Sequence, residues 1–256
     1  MILSSSIFAL LMAGSITAQE YKVSVDNAKN SKLSLRNFSG DLKIEGYAGN
    51  EIIFAPESGE EMTVPDRAKG LKPVYGGGVD NTGVGLSVEK NGTTISVTCL
   101  LPFTNSREYT VKVPESMSIE VKSECQYNND IYINGMKNEI EIQSCQSIKL
   151  KGVTGPLVLS TISGDIEVTF DNIATGKPFS INSISGEIDI TLPAKIAADI
   201  EMNSVSGRMY SDFDFSDKSK DMNQIGGNEL NTKLNGGGAK FRIVTVSGNI
   251  YLRKGL

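Results

Sequence analysis

The chain has 256 residues, with 25 Lys and Arg against 30 Asp and Glu, a formal charge of −5, 26 Gly, 3 Cys and neither His nor Trp. A hydrophobic fraction of 39% is too high for disorder and enough for a large core, while the mild acidity gives no electrostatic footprint for nucleic acid or anionic lipid. The absence of His excludes Ser-His-Asp and Cys-His triads and His-ligated zinc or iron.

Residues 7–18 read IFALLMAGSITA, an apolar run that closes on small residues. This is the length of a signal-peptide core and too short for a membrane helix. Residues 1–18 are therefore expected to be an export signal, cleaved after Ala18, with 19–256 as a single domain. The n-region carries no Lys or Arg before Lys22. No Cys follows the apolar run to serve as a lipid anchor, and no run along the chain reaches transmembrane length.

The first strand pair is expected at Leu33, Leu35, Phe38, Leu42 and Ile44, around Phe38-Ser-Gly-Asp-Leu-Lys-Ile44. Residues 56–83 follow as an insertion holding Pro56, Pro65, Pro73 and Gly76-Gly-Gly78, with a short helix near Pro65 to Lys69. Cys99 shares the parity of Ile95 and Val97 and should point inward. A looser copy (Ile119, Val121, Ile131, Ile133) carries three extra residues, and a shortened one is Ile140, Ile142, Cys145, Ile148, Leu150. With three Cys in so long a chain, Cys125 and Cys145 read more simply as small buried side chains than as a disulfide.

Three close copies come next: Ile162-Ser-Gly-Asp-Ile-Glu-Val168, Ile184-Ser-Gly-Glu-Ile-Asp-Ile190 and Val205-Ser-Gly-Arg-Met-Tyr-Ser211. Residues 212–238 then form a long polar loop ending in Gly236-Gly-Gly238, with a weak strand near Glu229 to Leu234. The last copy is Val246-Ser-Gly-Asn-Ile-Tyr-Leu252, and the four glycines are spaced 22, 21 and 41 residues apart.

Each copy has two alternating apolar residues, one more at a corner, Ser-Gly, and two further alternating apolar residues. Alternation at period two is a half-buried strand. Glycine at the bend permits a positive φ or a tight turn, and Ser can bond the local backbone. One such unit cannot bury its apolar face alone, so units stack at ~4.8 Å. The expected fold is all-β: a right-handed parallel β-solenoid with coils of about 20–22 residues. The alternative is an antiparallel β-sandwich, because spacing alone does not fix strand direction.

These Ser-Gly-Asp-Ile-x-Val repeats resemble the bacterial putative-adhesin family, a domain of unknown function built from β-strand repeats. Residues 67–86 (RAKGLKPVYGGGVDNTGVGL) are similar to an insertion in members from Bacteroidetes-type bacteria. The resemblance covers most of the chain beyond the signal. It implies an exported envelope protein with a β-helix-like fold, and it brings no catalytic or ligand residues.

Carboxylates are the only catalytic set the composition leaves. Asp165, Glu187, Arg208 and Asn249 are outward after each Ser-Gly, followed by Glu167, Asp189, Tyr210 and Tyr251. Stacking would put Asp165 over Glu187 and Glu167 over Asp189. Such pairs can serve a polysaccharide lyase or hydrolase, or hold Ca²⁺. The same alternation demands polar residues there whatever the function, with Arg208 and Lys149 close enough to relieve the charge. Tyr210 and Tyr251 could stack on a sugar or simply pack across strands. Asp212, Asp214 and Asp217 lack the glycine and terminal Glu of an EF-hand loop. The expectation is thus a non-catalytic exported scaffold, with no catalytic, cofactor or metal residues assigned. Its partner would be a glycan or envelope protein, and its place the periplasm, the outer surface or the medium.

Overall fold

The computed structural model describes residues 20–57, 66–71, 74–104, 106–174, 176–215 and 228–255. The expected export signal and Asp217 lie outside these residues. Twenty strands carry the fold among these described residues. The first nine are β1 (Tyr21–Ser24), β2 (Lys32–Arg36), β3 (Leu42–Tyr47), β4 (Glu51–Pro56), β5 (Leu86–Asn91), β6 (Thr94–Cys99), β7 (Tyr109–Pro114), β8 (Ser118–Lys122) and β9 (Ile131–Asn134). Then come β10 (Ile140–Ser144), β11 (Ile148–Val153), β12 (Leu157–Thr161), β13 (Ile166–Phe170), β14 (Phe179–Ser185) and β15 (Ile188–Leu192). The chain ends with β16 (Ala198–Ser204), β17 (Met209–Ser211), β18 (Asn228–Leu234), β19 (Ala239–Ser247) and β20 (Ile250–Lys254). Two 3₁₀ turns, Ala28–Asn30 and Asp66–Ala68, are the helical elements among the described residues.

The strands form two ten-stranded sheets enclosing one apolar core. Sheet one runs β1-β4-β7-β3-β9-β11-β13-β15-β20-β17, and sheet two runs β18-β16-β19-β14-β12-β10-β8-β2-β6-β5. Internal pairs are parallel, such as β13 with β15 and β12 with β14. Among the described strands antiparallel pairs occur at the ends: β1 on β4, β4 on β7, β5 on β6 and β18 on β16. The parallel interior rules out the antiparallel sandwich.

The register is the one set by the repeated template. Ile166 pairs with Ile188, Ile188 with Ile250, and Ile250 with Met209. On the other sheet Leu159 pairs with Ile181, Ile181 with Ile243, and Ile243 with Met202. Phe179 stacks on Phe241 at 4.4 Å between centroids, and Phe170 meets both rings edge-on. Cys99 is buried, as its parity requires.

Unit order departs from chain order at both ends. Four strand–corner–strand units, β8/β9 through β14/β15, stack consecutively. The first unit, β2/β3, lies between β6/β7 and β8/β9, so the chain steps outward and then back over it. The last unit, β19/β20, fills a gap between β14/β15 and β16/β17. Both units nearest the chain termini are therefore internal.

The loop expected at 212–238 contains β18, which pairs with β16 over seven residues. Backbone pairing against an existing edge compensates for its weak apolar pattern. The glycine runs at 76–78 and 236–238 are turns, with Gly236 and Gly237 at φ 86° and 87°.

The corners depart from expectation in two ways. Ile162, Ile184, Val246 and Val205 do not fill the core: they are 46%, 53%, 44% and 52% exposed. Phe38 and Cys145, at the equivalent positions, are buried. The residue one place earlier points inward instead, giving a column of buried hydroxyls at Ser144, Thr161, Ser183, Thr245 and Ser204. Thr161 Oγ1 donates to the Gln146 carbonyl, Thr245 Oγ1 to Gly186 and Ser204 Oγ to Gly248. These hydroxyls satisfy backbone groups at the bend that the sheet ladders leave open.

The second departure concerns why glycine is there. Gly164, Gly186, Gly248 and Gly207 have no positive φ; among the Ser-Gly corners only Gly40 does, at 101°. A Cβ on Gly186 would collide with the Gly164 carbonyl, one on Gly248 with Gly186, and one on Gly207 with Gly248. Close approach between stacked units is what requires these glycines.

Candidate functional site

The outward carboxylates sit on sheet one, on strands that alternation obliges to be polar on this face. Lys149, Glu167, Asp189, Tyr251 and Tyr210 form one row across β11, β13, β15, β20 and β17. Glu167 and Asp189 are neighbours as expected, but each has its own cation. Lys149 Nζ lies 2.6 Å from Glu167 Oε2. Arg253 donates from Nε to Asp189 Oδ1 and from Nη2 to Oδ2, both at 2.7 Å. This bidentate geometry is the strong form of the carboxylate–guanidinium pair. Arg253 was not singled out in the sequence; it stands in the partnering role expected of Arg208.

Asp165 and Glu187 are adjacent too, yet they work as parts of the corner. Asp165 Oδ1 accepts from the Glu187 amide at 2.8 Å. Asp41 does the same for the Asp130 amide, Asp130 for Ser147 and Asn249 for Arg208. At Asp41, Asp165 and Asn249 the residue after glycine thus holds the backbone of the neighbouring unit, which explains Asp or Asn there; Asp130, which follows Asn129, does so in the looser copy. Glu187 Oε1 accepts from Asn249 Nδ2 at 2.9 Å and from the Tyr251 hydroxyl at 3.2 Å.

Tyr210 and Tyr251 stack with centroids 5.3 Å apart and planes 11° from parallel, and the Arg253 guanidinium lies 5.6 Å from the Tyr251 centroid. Asp212 Oδ1 accepts from the Lys254 amide. Among the described residues no three Cys, Asp or Glu side chains group as a metal site would need.

Sequence reasoning missed a second charged cluster on sheet two. Glu120 of β8, nearly buried, accepts from Lys32 Nζ at 2.9 Å and Ser34 Oγ at 2.7 Å, with Lys122 Nζ at 3.2 Å and Arg36 Nη2 at 3.8 Å. Burial alone would raise the Glu120 pKa. Hydrogen bonds from Lys32, Ser34 and Lys122, together with the Lys32 charge, overcome that and hold it at about 2. The signal available was alternation: Lys32, Ser34 and Arg36 share one parity, as do Glu120 and Lys122. What joins them is the β2–β8 register across a long sequence gap.

Cys125 and Cys145 form a disulfide, correcting the expectation of two unbridged thiols. The extra residues of the looser copy carry Cys125 round the corner to Cys145 of the next unit, with Cα atoms 5.1 Å apart. Cys145 is buried as expected, whereas Cys125 is exposed.

Fold and site together define a class: an all-β protein of two long mixed sheets, built by stacking strand–corner–strand repeats, with an outer acidic face whose carboxylates are partnered. Residues 11–253 match the family described as Toastrack DUF4097, and the chain belongs to that family. No curated protein matches it. Among solved structures, a putative cell adhesion protein from Clostridium sporogenes is similar at 12% identity, TM-score 0.37, over 92% of this chain and 99% of that one. A putative adhesin from Bacteroides fragilis aligns at 12% identity and TM-score 0.35, over 94% of this chain and 98% of that one. One from Parabacteroides merdae aligns at 9% and 0.29, over 93% and 95%. No described helix is long and apolar enough to cross a membrane.

Proposed function

We propose that this chain is an exported, non-catalytic envelope protein that acts as an adhesin or binding scaffold. In this reading residues 1–18 are the export signal and 19–256 form a single domain. That domain is a right-handed β-solenoid with coils of about 20–22 residues, set by the 22- and 21-residue glycine spacings. Parallel in-register stacking supports the solenoid, and the strong handedness preference of parallel crossovers supports its hand. The disulfide favours an oxidising compartment.

One observation carries the non-catalytic reading. Each carboxylate of the outer acidic face is engaged: Asp165 by a backbone amide, Glu187 by Asn249 and Tyr251, Glu167 by Lys149 and Asp189 by Arg253. A general acid and base need one carboxyl kept protonated beside one left free to take a proton. Neither arrangement is favoured by a face of ion pairs and caps. The partner in this reading is a glycan or another envelope protein, met by side chains repeated along the stack.

The test is a screen of acidic and neutral bacterial glycans, with and without Ca²⁺, following both retention and chain length. Retention without shortening is expected. Shortening that disappears in Asp165→Asn or Glu187→Gln would reject the reading in favour of a carboxylate enzyme. Absence of both would redirect the search to a protein partner.

A further inference from the structure

A cleft of about 610 Å³ lies on sheet two where β14, β19, β16 and β18 meet. It runs across the strands, between two rows of outward side chains. One row is Asn231, Glu201 and Arg242; the other is Lys233, Asp199 and Lys240. The rows are two residues apart along the strands, ~6.7 Å, and Lys233 and Lys240 are two strands apart, ~9.6 Å.

The first row is internally balanced, because Arg242 Nε lies 3.1 Å from Glu201 Oε1. The second row is not. Lys233 and Lys240 flank Asp199 in register, yet neither makes an ion pair among the described residues. Asp199 Oδ1 is buried without a hydrogen-bond partner among them. The row therefore sets two ammonium groups around one carboxylate, an excess of one positive charge, with neither lysine in an ion pair among the described residues. Asp199 lines the cleft between the two lysines, with its Oδ1 turned toward Gly237.

We infer that this cleft binds a linear polysaccharide bearing carboxylates, its anionic groups on Lys233 and Lys240 and a hydroxyl donating to Asp199. The inference deepens the binding function proposed above and rests on it. The site asks one ligand for both anionic acceptors and hydroxyl donors. A neutral glycan lacks the former and an acidic peptide largely lacks the latter. The cleft crosses the strands on the face of sheet two, so a peptide lying along it would not run parallel to the free edge of β18 and pair with its backbone. Two strand spacings suit charges recurring along a polymer that lies down the stack.

The experiment measures retention of the full chain on polygalacturonate, with pullulan as a neutral glycan and polyglutamate as an acidic peptide. The wild type should be held by polygalacturonate alone, and more weakly as salt rises. Lys233→Gln with Lys240→Gln should weaken this roughly tenfold or more, since charge-assisted hydrogen bonds contribute on that scale. Lys112→Gln with Lys151→Gln removes the same charge from the opposite sheet and should leave retention within about twofold. Unchanged melting temperatures would show that both variants fold. Four results would overturn the inference: no retention on polygalacturonate, undiminished retention of the cleft variant, an equal loss in the control variant, or equal retention on pullulan or polyglutamate. Shortening of the polymer would instead reject the non-catalytic reading while leaving a cleft-dependent retention intact.

Discussion

Between β8 and β15 the four units of the stack follow chain order, each pairing with the next along the run. At both ends the order is broken: β2/β3 is packed against β8/β9 as well as its chain neighbour β6/β7, and β19/β20 against β14/β15 as well as its chain neighbour β16/β17. The apolar templates do not explain the difference, because Ile188 could pair as well with Met209 as with Ile250. Polar contacts across the displaced units do distinguish partners. Arg253 of β20 grips Asp189 of β15, Arg242 of β19 pairs with Glu201 of β16, and Lys32 and Ser34 of β2 close on Glu120 of β8. Ion pairs are best attested as devices that fix register and partner choice, and these sit at the seams where choice is needed. The displaced order also protects the chain ends. A last unit packed on both sides cannot fray as a terminal one would.

The largest expected effect tests that order. Truncation after residue 238 removes β19/β20, which in a sequential stack would trim one end. Here it leaves a gap between β14/β15 and β16/β17. The truncated chain should lose cooperative thermal melting and bind a hydrophobic dye. A native-like melt lowered by only a few degrees would mean that the last unit lies at an end after all.

Next in size is a comparison of equivalent inward positions. Ile188 is fully buried between Ile166 and Ile250, whereas Met209 on the three-residue β17 is half-buried. Ile188→Asp should destabilise by about 4 kcal/mol or more through an unpaired buried carboxylate, and Met209→Asp by less than half of that. Denaturant midpoints ranking the two the other way would reverse the placement of middle and end.

The middle units were largely legible in the sequence and the seams were not. Leu157, Leu159, Ile166 and Val168 recur at fixed offsets, and such offsets carry over directly into register. The template erred at the corner because it followed hydrophobicity where alternation changes. Thr161 is inward to bond the backbone of the preceding unit, at Gln146, and Ile162 is turned out beside it. A buried hydroxyl column carries no apolar signature. The glycines were visible, but their cause, a carbonyl one unit away, is a contact between residues distant in sequence. The same holds for Asp165, whose partner amide is in the following unit, and for Arg253, whose role depends on β20 lying beside β15. Unit order was hidden because nearly identical templates are interchangeable. The cleft needs β18, whose few apolar residues leave it faint by pattern alone.

The smallest effect concerns the seam at β2 and β8. Glu120 titrates near 2 in the folded chain against an ordinary value of 4.5. A carboxyl with a depressed folded pKa stabilises above its unfolded value, and the contribution disappears as pH falls through the folded one. The seam should therefore be at full strength above about pH 5 and weaken between about 4.5 and 2, by an amount on the order of 2 kcal/mol. Urea midpoints of the wild type and Glu120→Gln measured from pH 7 to pH 2 isolate this group from the other carboxylates. The variant should be the less stable protein at pH 7, because Lys32, Lys122 and Arg36 then crowd together without their common anion. The gap should narrow on acidification, as the wild-type carboxylate gains the proton that makes it resemble the amide. A gap constant over the whole range would mean that the cluster does not hold the displaced unit by charge. The order at that end would then rest on apolar packing and the connecting chain alone.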